Sequence, residues 1–518
     1  MTVVMPRDDN PAPTYVPKIM RHASFYGWIG VARQDITPPV GIYARNWGAA
    51  KHDVAEGIHR PMTLTVLTLQ EAQDAPPLVL IAADLCWWRE AATERSVREP
   101  ILAALKLDPA RLIFNLSHTH SGPAISPAFA ELPGGDKIAG YLDLVRTAAV
   151  KTAKTALANA VPATLDWTRG RCDLACNRDL PDPTGKTSPY AAPNDGTAVF
   201  LGRRRIVCGY NPAEPADDTV LVGRVIADRV GGPPSPRHNI LATLVNYACH
   251  PVTLAWENRL ISPDYVGAMR EVIEKDTAAP CLFLQGASGE LAPALEYVGN
   301  PQVADTHGRR LGHAALSALE GMLPPLCESY FEQVVESGAP LATWNIRPRF
   351  RFNLDAGKVP ACKLQAMRAS TDYLIKEEYP PAAEIELQLA DAIRRGERVL
   401  GERLRRKLAV RQSMGDGTHV TSHQWLWQVG EALVAGVPNE AYSQLQMELR
   451  KQLAPHEVVV MNLVNGSTAY LPPAALYSQD VYQVWQTPYD RGCLEQTISA
   501  CSEGLRKLVA TETPVTKP

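Results

Sequence analysis

The sequence predicts an α/β protein built on a mixed β-sheet core flanked by helices, and three observations carry that expectation. Apolar runs with strand character alternate with stretches of helical spacing, the order expected when helices cover a central sheet. Some of those runs, such as residues 78–84, are continuous rather than alternating, as in strands covered on both faces. Clusters of Gly, Pro, Asn and Asp separate the two kinds of segment.

Taken in order, residues 28–41 read as a short strand running into the proline-fixed turn Asp35-Ile-Thr-Pro-Pro. Residues 62–69 alternate apolar side chains with Thr, and residues 78–84 form the next strand. Helical spacing follows over 91–105, with a kink or division expected at Pro100 and a stop at Asp108-Pro109. Residues 112–115 return to strand. A second helix spans 141–160, with Leu142, Val145, Ala149 and Ala153 on one face. A polar loop rich in turn formers then surrounds Arg178 and continues through residues 181–186. Strands are expected at 221–228, 239–249 and 281–284, with a helix at 265–275. Residues 328–424 differ in character, and the charged stretch 373–410 reads as mostly helical, with residues 394–407 on a solvated helix face. Strand material resumes at 426–437, a helix is expected over 441–453, a strand over 457–464 and a closing helix over 493–509. The expected organisation is a polar tail at 1–25, a catalytic core in two parts at 26–327 and 425–518, and a largely helical insertion or subdomain at 328–424.

Composition narrows the function classes. The chain of 518 residues is 46% hydrophobic with a net charge of −3, so it has material for a large core and no basic field that would favour nucleic acid. The longest apolar run is broken by Asp84 and is too short to cross a bilayer. Acids and prolines at the N-terminus interrupt any secretory apolar region, and the scattered cysteines contain no C-x-x-C, so a reducing, cytoplasmic setting is expected. The partner expected is a small or acyl-bearing molecule; nothing in the pattern fixes an oligomeric state.

Chemistry concentrates at Ser117-His-Thr-His-Ser-Gly-Pro123. A strand sends residues i and i+2 to one face, so a strand persisting to this point would aim His118 and His120 into one cavity. Imidazole is a common zinc ligand and the usual acid or base near neutral pH, although such a pair also occurs simply as a hydrogen-bonded loop. Further along, His250, Glu440 and Tyr470 also lie just past apolar strands, and ligands at strand ends can converge on one edge of a sheet. Mixed nitrogen and oxygen donors of this kind suit zinc. Glu440 has a plainer explanation as an acid in a first helical turn, worth about 0.3–1 kcal/mol. Ser288, in Gly286-Ala-Ser-Gly289, lacks the spacing of a nucleophile elbow.

With these pieces in view the chain resembles the neutral ceramidases, a family of zinc-dependent amidases. The resemblance rests on Asp35-Ile-Thr-Pro-Pro, the His-x-His segment, Asn177-Arg178, Asn246-Tyr-Ala-Cys-His-Pro251 with Ser262-Pro-Asp264, Phe283 to Pro293, Gly436-Val-Pro-Asn-Glu440 and Ala469-Tyr-Leu-Pro472, in the family's order. It implies that His118, His250, Glu440 and Tyr470 ligate Zn2+, and that His120, Arg178 and Tyr482 contact the substrate amide. Metal-activated water would then be the attacking group, with the oxyanion held by those donors. Asp264 is expected either to orient a ligand histidine or to cap the helix that follows it.

Two departures modify that expectation. The position matching the family's active-site serine is Ala292, and the chain is expected to lack the family's C-terminal β-sandwich and secretion signal. The substrate is therefore expected to be a ceramidase-like N-acyl compound, not necessarily ceramide. The same centre could cleave an ester, lactone or glycosidic bond, and a metal-stabilised binding protein without turnover is the third reading.

Overall fold

The computed structural model describes residues 19–187, 204–228, 239–349 and 363–510. Most of the expected N-terminal tail lies outside the described residues. Eight strands form the larger sheet: β1 (Ala23–Asp35), β2 (Thr63–Gln70), β3 (Leu78–Ala83), β4 (Leu112–Leu116), β5 (Val161–Arg171), β6 (Thr219–Ala227), β7 (Ile240–Tyr247) and β8 (Cys281–Gln285). Their spatial order is β8-β7-β6-β5-β1-β2-β3-β4. Interior pairs are antiparallel, while β3/β4 and β7/β8 at the two edges are parallel. The sheet is mixed, as the sequence predicts.

A second sheet lies against the first, a layer the sequence pattern does not separate from the core. It has four strands in the order β9 (Leu364–Leu374), β10 (His419–Val429), β11 (Ala432–Gly436) and β12 (Glu457–Met461). The segment expected as one strand over 426–437 is the hairpin β10/β11. It reverses at Gly430, where φ is 59° and an added Cβ would meet the Ser24 carbonyl oxygen. Only glycine fits there. Residues 328–424 are less helical than their charge suggests: besides two helices they hold β9 and part of β10, preceded by a hairpin of Cys327–Glu336 with Pro340–Pro348.

The helices are α1 (Ala91–Leu105), α2 (Ile138–Ala158), α3 (Tyr265–Thr277), α4 (Pro301–Glu320), α5 (Ala382–Arg394), α6 (Arg398–Met414), α7 (Gln444–Gln452), α8 (Tyr482–Gln486) and α9 (Cys493–Ala510). Pro100 sits inside α1, whose bounds match the expected ones. Alternate residues of β2 and β3 explain why both faces are apolar. Leu64, Val66, Val79 and Ile81 pack with residues of α1 and α2, whereas Leu67, Leu69, Leu78 and Leu80 pack with Trp425, Trp427 and Val434 of the second sheet. The layering is helix, sheet, sheet, helix, with α7 and α9 on the far face of the second sheet. Trp425 and Trp427 donate their indole N–H groups across the interface to the carbonyls of Pro109 and Ala110. No described helix is long and apolar enough to cross a membrane.

One topological fact positions the site. At ~4.8 Å per strand, β4 and β7 would lie roughly 30 Å apart in a flat sheet of this order. Instead the edge strands β4 and β8 meet at their C-terminal ends, where the Gln285 N–H donates to Asn115 Oδ1 at 3.0 Å. The Asn115 amide also donates to the Asn462 carbonyl at 2.6 Å, and the Asn462 amide to that of Ala441 at 3.0 Å. These buried asparagines satisfy strand ends from both sheets and draw four distant loops together.

Candidate metal centre

His118 comes from the loop after β4. Its N–H still donates to Leu85 O at 2.9 Å, but the strand has ended and φ is 70°. The i, i+2 reasoning therefore fails as geometry, since a residue in the left-handed region breaks the strand's alternation. The two imidazoles nevertheless meet, with Nε2 atoms 3.4 Å apart. The turn is braced from outside: the Thr119 hydroxyl donates to Ser262 O at 2.6 Å and the Ser262 N–H to Ser121 O at 2.9 Å. A strained backbone is held there by its neighbours.

His250 arrives from the loop after β7, and its Nδ1–H donates to the Ser288 carbonyl at 2.6 Å. The Nδ1–H of His118 likewise donates to the Cys86 carbonyl at 2.8 Å. These carbonyls fix both tautomers, so both Nε2 lone pairs point inward. Glu440 meets them with Oε2 at 3.3 Å from His118 and 3.2 Å from His250. Glu440 is not in a helical turn; Glu440–Ala441 is a two-residue strand paired in parallel with Tyr470–Leu471, and α7 begins only at Gln444. Helix-dipole stabilisation therefore does not explain it. Gly289 makes room for this loop, because a Cβ there would sit 2.9 Å from the Glu440 carbonyl and 2.8 Å from Tyr442 Cδ1.

Two imidazole nitrogens and a carboxylate oxygen thus converge in a buried space. Protonating His250 and His120 is disfavoured. Burial, and then the Arg178 guanidinium, push His250 down to about 3. Burial, and then His118, hold His120 well below its ordinary value. Burial alone would raise the Glu440 pKa, but His118, His250 and Arg406 hold it well below the usual carboxylate range. Two imidazole nitrogens and one carboxylate oxygen form a donor set that a divalent cation satisfies. Cys86 with His118 and His120 makes an overlapping set through the shared His118. Burial raises the Cys86 thiol well above its ordinary pKa, so the Glu440 set, already ionised, is the better one.

The other expected residues surround this point. One Arg178 nitrogen donates to the Gly289 carbonyl at 2.7 Å, lies 3.3 Å from His250 Nε2 and donates to the Tyr470 hydroxyl at 3.4 Å. Burial, then Glu440, keep Tyr470 a phenol, so its ligation needs a cation to offset both. Tyr482 opens α8 with its ring 5.8 Å from Tyr470, and burial leaves its hydroxyl protonated near neutral pH. His120 is wedged between Trp47 and Trp87, and its Nδ1 is buried without a hydrogen-bond partner among the described residues.

Asp264 does not reach either histidine; it accepts the N–H groups of Leu254 and Tyr265 and caps α3. The Ser288 hydroxyl accepts from the Gln285 amide at 2.7 Å, so that residue serves the site through its carbonyl instead. Ala292 is buried in a short ladder opposite Cys176.

Sequence reasoning missed Trp87 and Arg406. Trp87 follows β3 within an apolar run, and nothing in that run marks it apart from core. Arg406, expected on a solvated face, instead turns inward from α6, with a nitrogen 3.5 Å from Glu440 Oε1 and its guanidinium 5.1 Å above the Trp87 ring. A charge run alone does not reveal which of its members faces a site.

The fold and this site together define a mixed α/β protein with a buried two-histidine, one-carboxylate centre at converging strand ends. No family model matches the sequence, and no curated sequence matches it as a relative. Among solved structures, the chain is similar to the crystal structure of neutral ceramidase from Pseudomonas aeruginosa, at a TM-score of 0.59 and 16% identity over 95% of this chain and 76% of that one. It is equally similar to a ceramidase complexed with C2, covering 77% of that chain. Its fold is the neutral ceramidase fold.

Proposed function

We propose that this protein is a zinc-dependent hydrolase that cleaves an amide bond in an N-acyl substrate. The observation that carries the reading is the buried convergence of His118 Nε2, His250 Nε2 and Glu440 Oε2, each imidazole nitrogen within 3.3 Å of the carboxylate oxygen and its Nδ1 held by a backbone carbonyl. His118, His250, Glu440 and Tyr470 would hold the ion. When bound, zinc lowers the pKa of its water to about 7 and polarises a carbonyl oxygen.

The chain's own residues supply the rest. Arg178 and the Tyr482 hydroxyl donate toward the oxygen of the scissile carbonyl as it gains charge, and burial of Arg178 beside the half-buried Tyr482 strengthens that stabilisation. His120, neutral and with an Nδ1 unpartnered among the described residues, accepts or returns a proton at that nitrogen. Trp47 and Trp87 cover its ring and exclude water from one side. No hydroxyl is present at Ala292, so no step uses one.

Metal analysis with a hydrolysis panel of N-acyl amides, esters, lactones and glycosides tests this reading. One zinc per chain and amide turnover abolished in both His118→Ala and Glu440→Ala are expected. Turnover confined to esters, lactones or glycosides would replace the bond class, and zinc without any turnover would make the chain a binding protein.

A further inference from the structure

Two arginines share the indole that flanks the proposed centre. Arg89 lies 4.5 Å from the Trp87 ring centroid and Arg406 lies 5.1 Å from it, while the same ring is 5.2 Å from His120 and 6.0 Å from His118. Aromatic faces hold guanidinium groups without neutralising them. Among the described residues Arg89 forms no ion pair; it donates to Asn46 Oδ1 at 2.7 Å and also packs over Phe129. Arg406 has one carboxylate neighbour, Glu440, at 3.5 Å through the oxygen that does not face the histidines.

Nearby acids are otherwise engaged. Glu90 accepts from Ser126 and Thr93, Glu402 pairs with Arg45 and Arg398, and Asp53 with Arg398. The wall beside the centre is thus cationic, with planar donors in excess of acceptors, which suits the bidentate geometry of an oxyanion.

We infer that Arg89 and Arg406, set on Trp87, form a subsite for an oxyanion group of the substrate next to the proposed metal centre. This rests on the hydrolase reading and names its substrate class: an N-acyl compound whose amine half carries a carboxylate or a similar oxyanion. α6 then supplies a specificity residue from the stretch 328–424.

The test compares octanoate release from N-octanoylglycine and from its uncharged methylamide, using the full chain. The wild type is expected to favour the carboxylate by about tenfold in kcat/KM, the scale of one charge-assisted contact. That ratio should fall below about threefold in Arg406→Gln and in Arg89→Gln, and persist in Arg395→Gln, which removes an exposed, Asp391-paired charge from the end of α5. Equal rates on both compounds, or a ratio unmoved in both variants, would overturn the subsite while leaving the hydrolase reading intact.

If no acyl compound turns over, the hydrolase reading fails, and calorimetric titration with sulfate decides the subsite. Binding weakened about fivefold in Arg406→Gln or Arg89→Gln relative to wild type and Arg395→Gln supports it. Undetectable binding in the wild type, or equal binding in all four proteins, overturns it.

Discussion

Glu440 and Tyr470 are register partners across a two-residue parallel ladder, closed by the Glu440 N–H donating to Ala469 O at 3.0 Å. Directly paired residues on adjacent strands present their side chains on one face. This small ladder therefore aims a carboxylate and a phenol at the same point, which the histidines reach from the larger sheet. Two donors far apart in sequence are set by one backbone register.

The ladder depends on the close approach of Gly289. In Gly289→Ala the new methyl group would press on the Glu440 carbonyl and Tyr442. Overpacking of this kind costs roughly 1–3 kcal/mol. Zinc affinity measured by competition with a chromogenic chelator should fall by about tenfold or more. An unchanged affinity would mean that the Glu440 loop tolerates displacement.

Asp84 accepts two buried hydrogen bonds from Arg270, at 2.9 and 2.6 Å, and one from the Thr63 N–H at 2.8 Å. It begins the loop that carries the Cys86 carbonyl to His118. Breaking a buried pair strands the other charge, so Arg270→Ala should lose about 3–5 kcal/mol of stability in urea unfolding. Arg270→Met with Asp84→Leu, which removes both charges, should lose less.

Arg178 uses one nitrogen to bridge the Gly289 carbonyl and the Tyr470 hydroxyl beside His250. Lysine keeps the charge but not the planar fork. Arg178→Lys should lower kcat by about 10²-fold or more, the scale of losing an oxyanion donor, with zinc content retained. Stopped assays with a saturating N-acyl amide, paired with metal analysis, separate the two effects.

Burial pushes Glu290 up to about 7, although its carboxylate accepts both the N–H and the hydroxyl of Ser443. A folded-state pKa above the unfolded value of ~4.3 means that the folded chain binds the extra proton between those two pH values. Its contribution is fully present below about pH 4.3 and is lost as pH rises through 7, at about 1.4 kcal/mol per pH unit. Glutamine does not titrate, so the stability of Glu290→Gln relative to wild type should improve steadily from pH 4.5 to 7. A pH-independent difference in urea midpoints would contradict the assignment.

How much of this was legible in the sequence differs by level. Strand and helix identity followed from periodicity, because β2, β3, α2 and α9 each bury one or both faces in a regular repeat. The pairing of two sheets did not, since a strand covered by helix on one face and sheet on the other has the same apolar run as one between two helix layers. His118, His250, Glu440 and Tyr470 stood out as polar residues after apolar strands, but nothing local indicated that the sheet's edges would close through Asn115 and Gln285. Pro438 and Asn439 resemble a helix start, and that local signal places Glu440 in a first helical turn. The ladder to Tyr470 prevailed through a partner thirty residues away, at register Glu440↔Tyr470. Arg406 is hidden in a charge run that also holds outward-facing members, such as the exposed Arg395.

Metal content of the purified, active chain, measured by inductively coupled plasma mass spectrometry before and after dialysis against a strong chelator, tests the central claim most directly. The predicted result is one zinc per chain, lost in step with hydrolysis of an N-acyl amide and regained with it on adding zinc back. Full hydrolytic rate in protein that contains no metal would contradict it.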